Sequence, residues 1–423
     1  MAIRCKDSAV LTSMGVISSI GHSATEVWEA LVEGRTGVSC IEGFDASSFA
    51  CNTAAEVTGL ATQQLGINPK ELRIMNTHSF MLMKCAVEAY EGGRLTDFPS
   101  EMVGFYAGIG MVDYEISQML PTVAKSIKID SSVDYDSFYT KGYREIYPLW
   151  PLSMLNNIAL SQAAIRLQIK GENLVLSPHA DSGAQAIIEG VRAVMDGKAR
   201  AVVAGGVSEK VNPLSIARGL NLGFLSGNIL RPFGARREGT IMGEGAAMFA
   251  IERLSTAVAR GVTPLAGIYG WGSAFQKRED FKGPTSEAIS AAMNAAIRKA
   301  ELNPEDIDVL IAHGDGTLAA DANECQAING VFSTSLQNLK VYASKGALGH
   351  TFAAAPALDI FIAACILRDG VLPSTINASP VDRMVRFNLV IDEGVKIKAH
   401  RIMINAQSCE GQAVSIIVGS VEA

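Results

Sequence analysis

A chain of 423 residues is long enough to bury a large core and to hold two domains or one duplicated one. With 48% hydrophobic and 19% charged residues it reads as a compact α/β body, and a net charge of −7 disfavours nucleic acid as a general partner. Seven scattered cysteines, an odd number, form no disulfide framework, which points to a reducing cytoplasm.

The first residues, MAIRCKDSAVLTSMGVISS, carry charges early and show neither an apolar core nor a cleavage signal, so a secretory leader is not expected. Val10-Leu11 and Val16-Ile17 flank a predicted turn, and Ser23-Ala-Thr-Glu26 reads as a capping box opening a helix from Ala24 to Glu33. Val103 to Ile109 is a Gly-punctuated apolar strand. Asp130 to Tyr147, rich in Tyr and acidic residues, reads as an inserted surface loop or an interface segment.

From Gly171 the sequence runs GENLVLSPHADSG and then AQAIIEGVRAVMDGKARAVVAGG. This predicts a short strand at Leu174 to Leu176, a tight turn, a helix opening near Ala180, and a second strand at Ala201 to Ala204. A strand-to-helix turn is where enzymes set a nucleophile, because free N–H groups of the first helical turn stabilise negative charge there. Ala180 stands at that turn and can do no chemistry.

Strand Ala247 to Ile251 follows a loop rich in Gly and Arg (Phe233 to Gly245), then a helix around Leu254 to Arg260. The pattern restarts with strand Ile268 to Gly270, helix Ser286 to Ala300, strand Val309 to Ile311, helix Asp321 to Val331 and strand Val341 to Ala343. Thr351 to Leu367 contains Pro356 and Asp359, so Phe352 to Leu367 is predicted as a buried helix and no membrane span is expected. Strands Arg401 to Ile404 and Val414 to Val418 close the chain. The halves echo each other, which suggests an internal repeat with halves at 1–255 and 256–423.

Three motifs carry a family resemblance over nearly the whole chain. An elbow T-A-C-x-S-G aligns with Pro178-His-Ala180-Asp-Ser-Gly183, and A-H-G-T-x-T aligns with Ala312-His313-Gly-Asp-Gly-Thr317. S-x-K-x-x-x-G-H aligns with Ser344-Lys345-Gly-Ala-Leu-Gly-His350, the lysine here directly following the serine. On these motifs the chain resembles the elongating β-ketoacyl-(acyl carrier protein) synthases, condensing enzymes of the thiolase fold. The fold implied is an α/β, five-layered αβαβα body of two similar halves.

The resemblance also implies roles. A cysteine thiolate would take the acyl chain at the position of Ala180, and His313 and His350 would stabilise the enolate formed when malonyl-carrier protein loses carbon dioxide. Lys345 would organise the site electrostatically, paired with Glu324, whose role is structural support. The family's gating loop N-S-F-G-F-G-G-T-N corresponds to Asn405-Ala-Gln-Ser-Cys409-Glu-Gly411-Gln-Ala, so Asn405, Cys409 and Gly411 take the gating and substrate-binding positions. As written, the site retains the decarboxylating half of the reaction and lacks the acyl-loading half.

The implied partners are acyl carrier protein and a second subunit, in a homodimer or in a heterodimer with a cysteine-bearing synthase, paired through a strand near Val203 to Val207 or its pseudo-equivalent. No resident cofactor is expected, since the substrate arrives on the carrier's phosphopantetheine, and no CxxC or HxxxH spacing suggests a metal. Three readings stand together: a chain-length-factor-like partner or malonyl-carrier-protein decarboxylase, an active synthase with a cysteine engineered to alanine at Ala180, and a purely structural subunit shaping an acyl tunnel. The run Gly314-Asp-Gly-Thr-Leu-Ala-Ala-Asp-Ala-Asn-Glu324 resembles chain-length factors, whereas the two retained histidines depart from them. Arg231, Arg236 and Arg237 read as a solvated face or as salt-bridge partners, and His179 as structural or solvent-facing.

Overall fold

The computed structural model describes residues 7–60, 75–177, 179–225, 227, 229–276, 280 and 282–421. The first half runs β1 (Ala9–Ser18), α1 (Ala24–Val32), β2 (Ser39–Cys40), β3 (Thr53–Ala54), α2 (Thr77–Gly92), β4 (Val103–Ile109), α3 (Ile116–Ser126) and α4 (Tyr135–Thr140). It continues with α5 (Asn156–Leu167), β5 (Asn173–Leu176), α6 (Ser182–Met195), β6 (Ala201–Val207), α7 (Pro213–Leu222), β7 (Gly245–Arg253) and α8 (Leu254–Ala259). The second half runs β8 (Ala266–Phe275), α9 (Ser286–Lys299), β9 (Val309–Ile311), α10 (Leu318–Val331), β10 (Lys340–Tyr342), α11 (Lys345–Leu348) and α12 (Ala355–Asp369). It ends with β11 (Val371–Leu372), β12 (Asn388–Leu389), β13 (Val395–Lys396), β14 (Arg401–Gln407) and β15 (Gln412–Gly419).

The large sheet has the order β12-β10-β9-β14-β15-β8-β1-β7-β6-β4-β5. Ranked along the chain, the strands of both halves follow the same order, first-fifth-fourth-second-third, β12 being an added edge. The halves join where Ala9–Leu11 pairs antiparallel with Ala266–Ile268. Alternate side chains of each strand face opposite layers, and the buried clusters sort accordingly. Phe105, Ala107, Val203 and Met248 pack on α2 and α5, and Leu310, Val341, Met403 and Ile417 pack on α9 and α10. Tyr106, Val202, Phe249, Ile311, Tyr342 and Ile404 turn the other way, onto α6 and α12 between the two halves of the sheet. That is the five-layered αβαβα fold.

Strands covered on both faces need continuous apolar runs, and β4, β6 and α12 supply them: every residue of β4 and β6, and all of Ala355–Ile366, is buried. The two central helices pack closely because small residues line their contact. A Cβ added at Gly183, in the first turn of α6, would lie 2.2 Å from the carbonyl oxygen of Ala353.

Several expectations change. Val10-Leu11 and Val16-Ile17 lie on one strand, whose register against β7 shifts between Leu11 and Ser13 without a turn. Ser23 Oγ accepts from Glu26 N–H, but the Glu26 carboxylate reaches back to His22 N–H at 2.7 Å, one residue before the cap. Asp130 to Tyr147 carries the short helix α4 and remains exposed at Tyr135, Tyr139, Tyr143 and Tyr147. The strand expected to pair subunits, near Val203 to Val207, is hydrogen-bonded on both sides by β4 and β7 and has no free edge. Among the described residues, the edge strand of the first half is β5.

Gly183→Ala is expected to lower stability by about 1–3 kcal/mol, the usual cost of overpacking a rigid contact. Urea unfolding checks this; an unchanged midpoint would mean that α6 and the Phe352–Ala354 turn are not in contact.

Candidate active site

The site forms at the carboxyl ends of β5, β9, β10 and β14, where open α/β sheets gather ligands. Here a cavity of about 400 Å³ is lined by Ala180, His313, His350, Gln407, Ser408 and Cys409, among others. Ala180 is 7% exposed, between the end of β5 at Leu176 and the start of α6 at Ser182; Pro178 lies outside the described residues. The Ala180 N–H donates to Ser408 Oγ at 3.2 Å, and that hydroxyl donates in turn to the Glu410 carboxylate. Glu410 also sits 3.1 Å from His179 Nδ1. The N–H at the elbow is thus occupied by an oxygen of the protein itself.

His313 is held from three directions. Its N–H donates to Glu324 Oε1 at 2.9 Å, its carbonyl accepts from Lys345 Nζ, and its Nδ1 accepts from Gln407 N–H at 3.3 Å. Glu324 also accepts from Gly314 N–H at 2.9 Å and Asn405 Nδ2 at 3.0 Å. Both its oxygens are therefore used, and the expected Lys345–Glu324 ion pair does not form: the lysine, 1% exposed, goes to the His313 carbonyl.

His350 is anchored by the Gly- and Arg-rich loop, its N–H donating to the Ile241 carbonyl and its own carbonyl accepting from Gly243 N–H. Its Nδ1 accepts from Phe352 N–H at 3.3 Å, and the Phe352 ring stacks on it at 4.3 Å. Phe352 pays for that position with φ = 46°, a region that bulky residues avoid. In the same loop Arg237 is buried on Asp382 and Asp321 as a salt-bridge partner, while Arg236 is solvated.

An Nδ1 that accepts a hydrogen bond leaves the ring proton on Nε2, so the hydrogen-bond pattern assigns both histidines as Nε2–H donors. Their rings meet edge to face with centroids 5.1 Å apart. Facing them is Asp315, which the motif reading passed over: its Oδ2 lies 3.7 Å from His313 Nε2, and its Oδ1 accepts from Thr317 N–H and Oγ1, both at 2.8 Å. Burial pulls the Asp315 carboxyl upward, but His313, His350 and the Thr317 N–H outweigh it and hold the acid well below the usual carboxylate range. Burial, with His313 and Lys345 beside it, holds His350 well below the ordinary imidazole value. The ligand atoms of His313, Asp315 and His350 all lie within 4.8 Å of one another, a spacing that could hold a metal ion. A metal needs a bare Nε2, and this tautomer places a proton there, so the cluster is a donor pair facing a carboxylate.

The Beta-ketoacyl synthase N-terminal domain matches residues 6–257, and the Beta-ketoacyl synthase C-terminal domain matches residues 265–379. The chain belongs to the β-ketoacyl synthase family. A 3-oxoacyl-[acyl-carrier-protein] synthase 2 of Coxiella burnetii (strain RSA 493 / Nine Mile phase I) is 30% identical over 435 residues, covering 98% of this chain and 99% of that protein. The synthase 2 of Staphylococcus aureus (strain N315) is 27% identical over 98% of each chain. In structure, the ishigamide ketosynthase/chain length factor matches with a TM-score of 0.87 at 24% identity, covering 99% of this chain and 100% of that one. A beta-ketoacyl synthase from Burkholderia phymatum STM815 matches with 0.86, also at 24% identity, over the same shares. At that identity the two structures bear on the fold.

For a β-ketoacyl synthase homologue, the residues named from the motifs divide into two groups. Ala180, His313, His350 and Cys409 line the cavity. Lys345, Glu324, Asn405 and Gly411 do not. Asn405 donates to Glu324 and accepts from Ser415 Oγ, away from the cavity lining, so it supports the His313 turn. Gly411 has φ = 114°, and a Cβ there would meet the Gln276 carbonyl oxygen at 2.0 Å; it shapes the turn that presents Ser408 and Cys409. Asp315 could have been found from the sequence, since it stands where the family motif has threonine.

Burial and the neighbouring Glu410 push the Cys409 thiol well above its usual range, so this cysteine is a poor nucleophile. Mild alkylation with iodoacetamide at pH 8 is expected to label the exposed Cys40 at least tenfold faster than Cys409, because the thiolate fraction sets the rate. Peptide mapping reads the result; equal labelling would assign Cys409 a thiolate.

Proposed function

We propose that this β-ketoacyl synthase homologue does not condense. It receives an acyl chain carried on the phosphopantetheine of an acyl carrier protein, without covalent transfer, as the partner subunit of a cysteine-bearing synthase in fatty-acid or polyketide assembly, in the cytoplasm. The observation that carries this reading is the elbow itself. Ala180 offers no nucleophile, and its N–H, which would have to polarise a thioester oxygen, is bonded to Ser408 Oγ.

The engineered-cysteine reading requires the rest of the site to be ready for acylation. Ser408, Cys409, Glu410 and Asp315 together argue against that readiness. The decarboxylase reading draws on the paired Nε2–H donors, which Asp315 already faces. Two features support a paired subunit: the edge strand β5, and the exposed apolar side chains of α3 and the segment after it, Leu120, Val123, Ile129 and Leu149 among them.

Incubation with acyl-carrier protein is expected to give no acyl adduct by intact mass, and Ala180→Cys is expected to leave condensation below about one hundredth of a competent synthase, since the elbow N–H stays occupied. Full condensation by Ala180→Cys would overturn the reading in favour of a synthase lacking only its thiol. Sedimentation should show a dimer at micromolar concentration, alone or with a cysteine-bearing homologue; a monomer under both conditions would count against the partner role.

A further inference from the structure

We infer that Asp315 is a specificity-determining residue: it occupies the oxygen-binding position of the His313–His350 donor pair with the protein's own negative charge, so the cavity admits neutral acyl thioesters and refuses malonyl-type, carboxylate-bearing ones. The inference rests on the proposed function and names its substrate class.

Three observations carry it. The backbone bonds from Gln407 and Phe352 hold both rings so that each presents its Nε2–H. Asp315 Oδ2 stands 3.7 Å from one of these nitrogens, and the ligand atoms of Asp315 and both rings lie within 4.8 Å of each other. The carboxylate is fixed there, because its other oxygen takes both the N–H and the hydroxyl of Thr317. It is not a mobile side chain that a ligand could push aside cheaply.

The consequence is electrostatic. In malonyl decarboxylation the bond between the α-carbon and the carboxylate breaks, carbon dioxide leaves, and the electron pair passes into an enolate whose oxygen needs the two donors. The α-carbon then takes a proton from water to give the acetyl thioester. That enolate oxygen would form a second anion beside Asp315 in a buried site, and the substrate's own carboxylate meets the same field on entry. The other acids on the cavity wall, Glu238 and Glu410, add to that field; of the wall's cations, Arg218 is already paired with Asp113 and Glu209, and Lys282 is exposed to solvent. A neutral acyl chain meets no such opposition.

The test is malonyl-carrier protein incubated with wild type, Asp315→Thr and the double variant Asp315→Thr/His313→Ala, reading acetyl-carrier protein by intact mass. The hydroxyl of a threonine can still accept the Thr317 N–H, so the turn is retained while the charge is removed. Wild type is expected at the spontaneous background, Asp315→Thr about a hundredfold above it, and the double variant back at background, since freeing an oxyanion donor restores a factor of that order. Should Asp315→Thr fail to fold by circular dichroism, Asp315→Ala carries the same expectation. Wild type decarboxylating as fast as Asp315→Thr, or a folded Asp315 variant giving no gain, overturns the inference. Failure of the partner reading is a separate outcome, registered by acyl loading or condensation on unmodified protein.

Discussion

The far wall of the cavity depends on one buried carboxylate. Glu324, on α10, accepts from the N–H groups of His313 and Gly314 and from the Asn405 amide on β14, while Lys345 holds the His313 carbonyl from the other side. Each of these groups is out of water, and leaving one such donor unmatched costs about 1–3 kcal/mol. The histidine is thereby clamped at both ends of its backbone, which is what allows Gln407 to fix its ring. Asn405 passes the constraint on to β15 through Ser415.

A site held that rigidly has donors aimed at a fixed point, the condition under which hydrogen bonds stabilise a developing anion without reorganising. The benefit exists only if the point is empty when charge develops. In this chain two such points hold oxygens of the protein: Ser408 Oγ at the Ala180 N–H, and the Asp315 carboxylate at the histidine pair. The alanine at the elbow is therefore one of several linked differences. An elbow N–H left bare and buried would cost stability, and a serine hydroxyl bonded to Glu410 satisfies it.

Much of the fold was legible because a five-layered body leaves strong marks. β4 is buried on both faces and reads as an unbroken apolar run, and α9 carries a clear amphipathic stripe. The helices α2, α5 and α7 were missed for the complementary reason. α2 buries His78, Ser79, Cys85 and Ala86 beside its methionines, so its sequence shows no clean stripe. In the site, His313 and His350 were legible from two motifs because each lies in a short glycine-bearing turn, His313 after β9 and His350 after α11. Asp315 was legible only as a departure from the motif's threonine; Gly-Asp-Gly reads as an ordinary turn, and its place opposite the histidine pair follows once the fold brings His350 beside it. Asn405 stands apart from the lining although it is near the gate-loop turn in sequence, because two residues along a strand from Gln407 is about 7 Å.

The remaining walls fit the same picture. Met111, Leu222, Phe224, Leu318 and Phe352 give the cavity apolar surface, and Phe224 packs edge-on against Phe352, which in turn stacks on His350. Burial pushes Glu209 up to about 7, so near neutrality that acid carries only part of a charge and sits against Arg218. Two like charges about 4 Å apart repel by about 4 kcal/mol at an effective dielectric of about 20. An opposition of that size at Asp315 outweighs what one neutral hydrogen bond contributes, about 1 kcal/mol. An anionic substrate would need a compensating cation next to the donor pair; Lys345 lies behind His313 with its ammonium on the carbonyl, and Lys282, on the cavity wall, is exposed to solvent. An uncharged acyl chain needs only the apolar walls, which are in place.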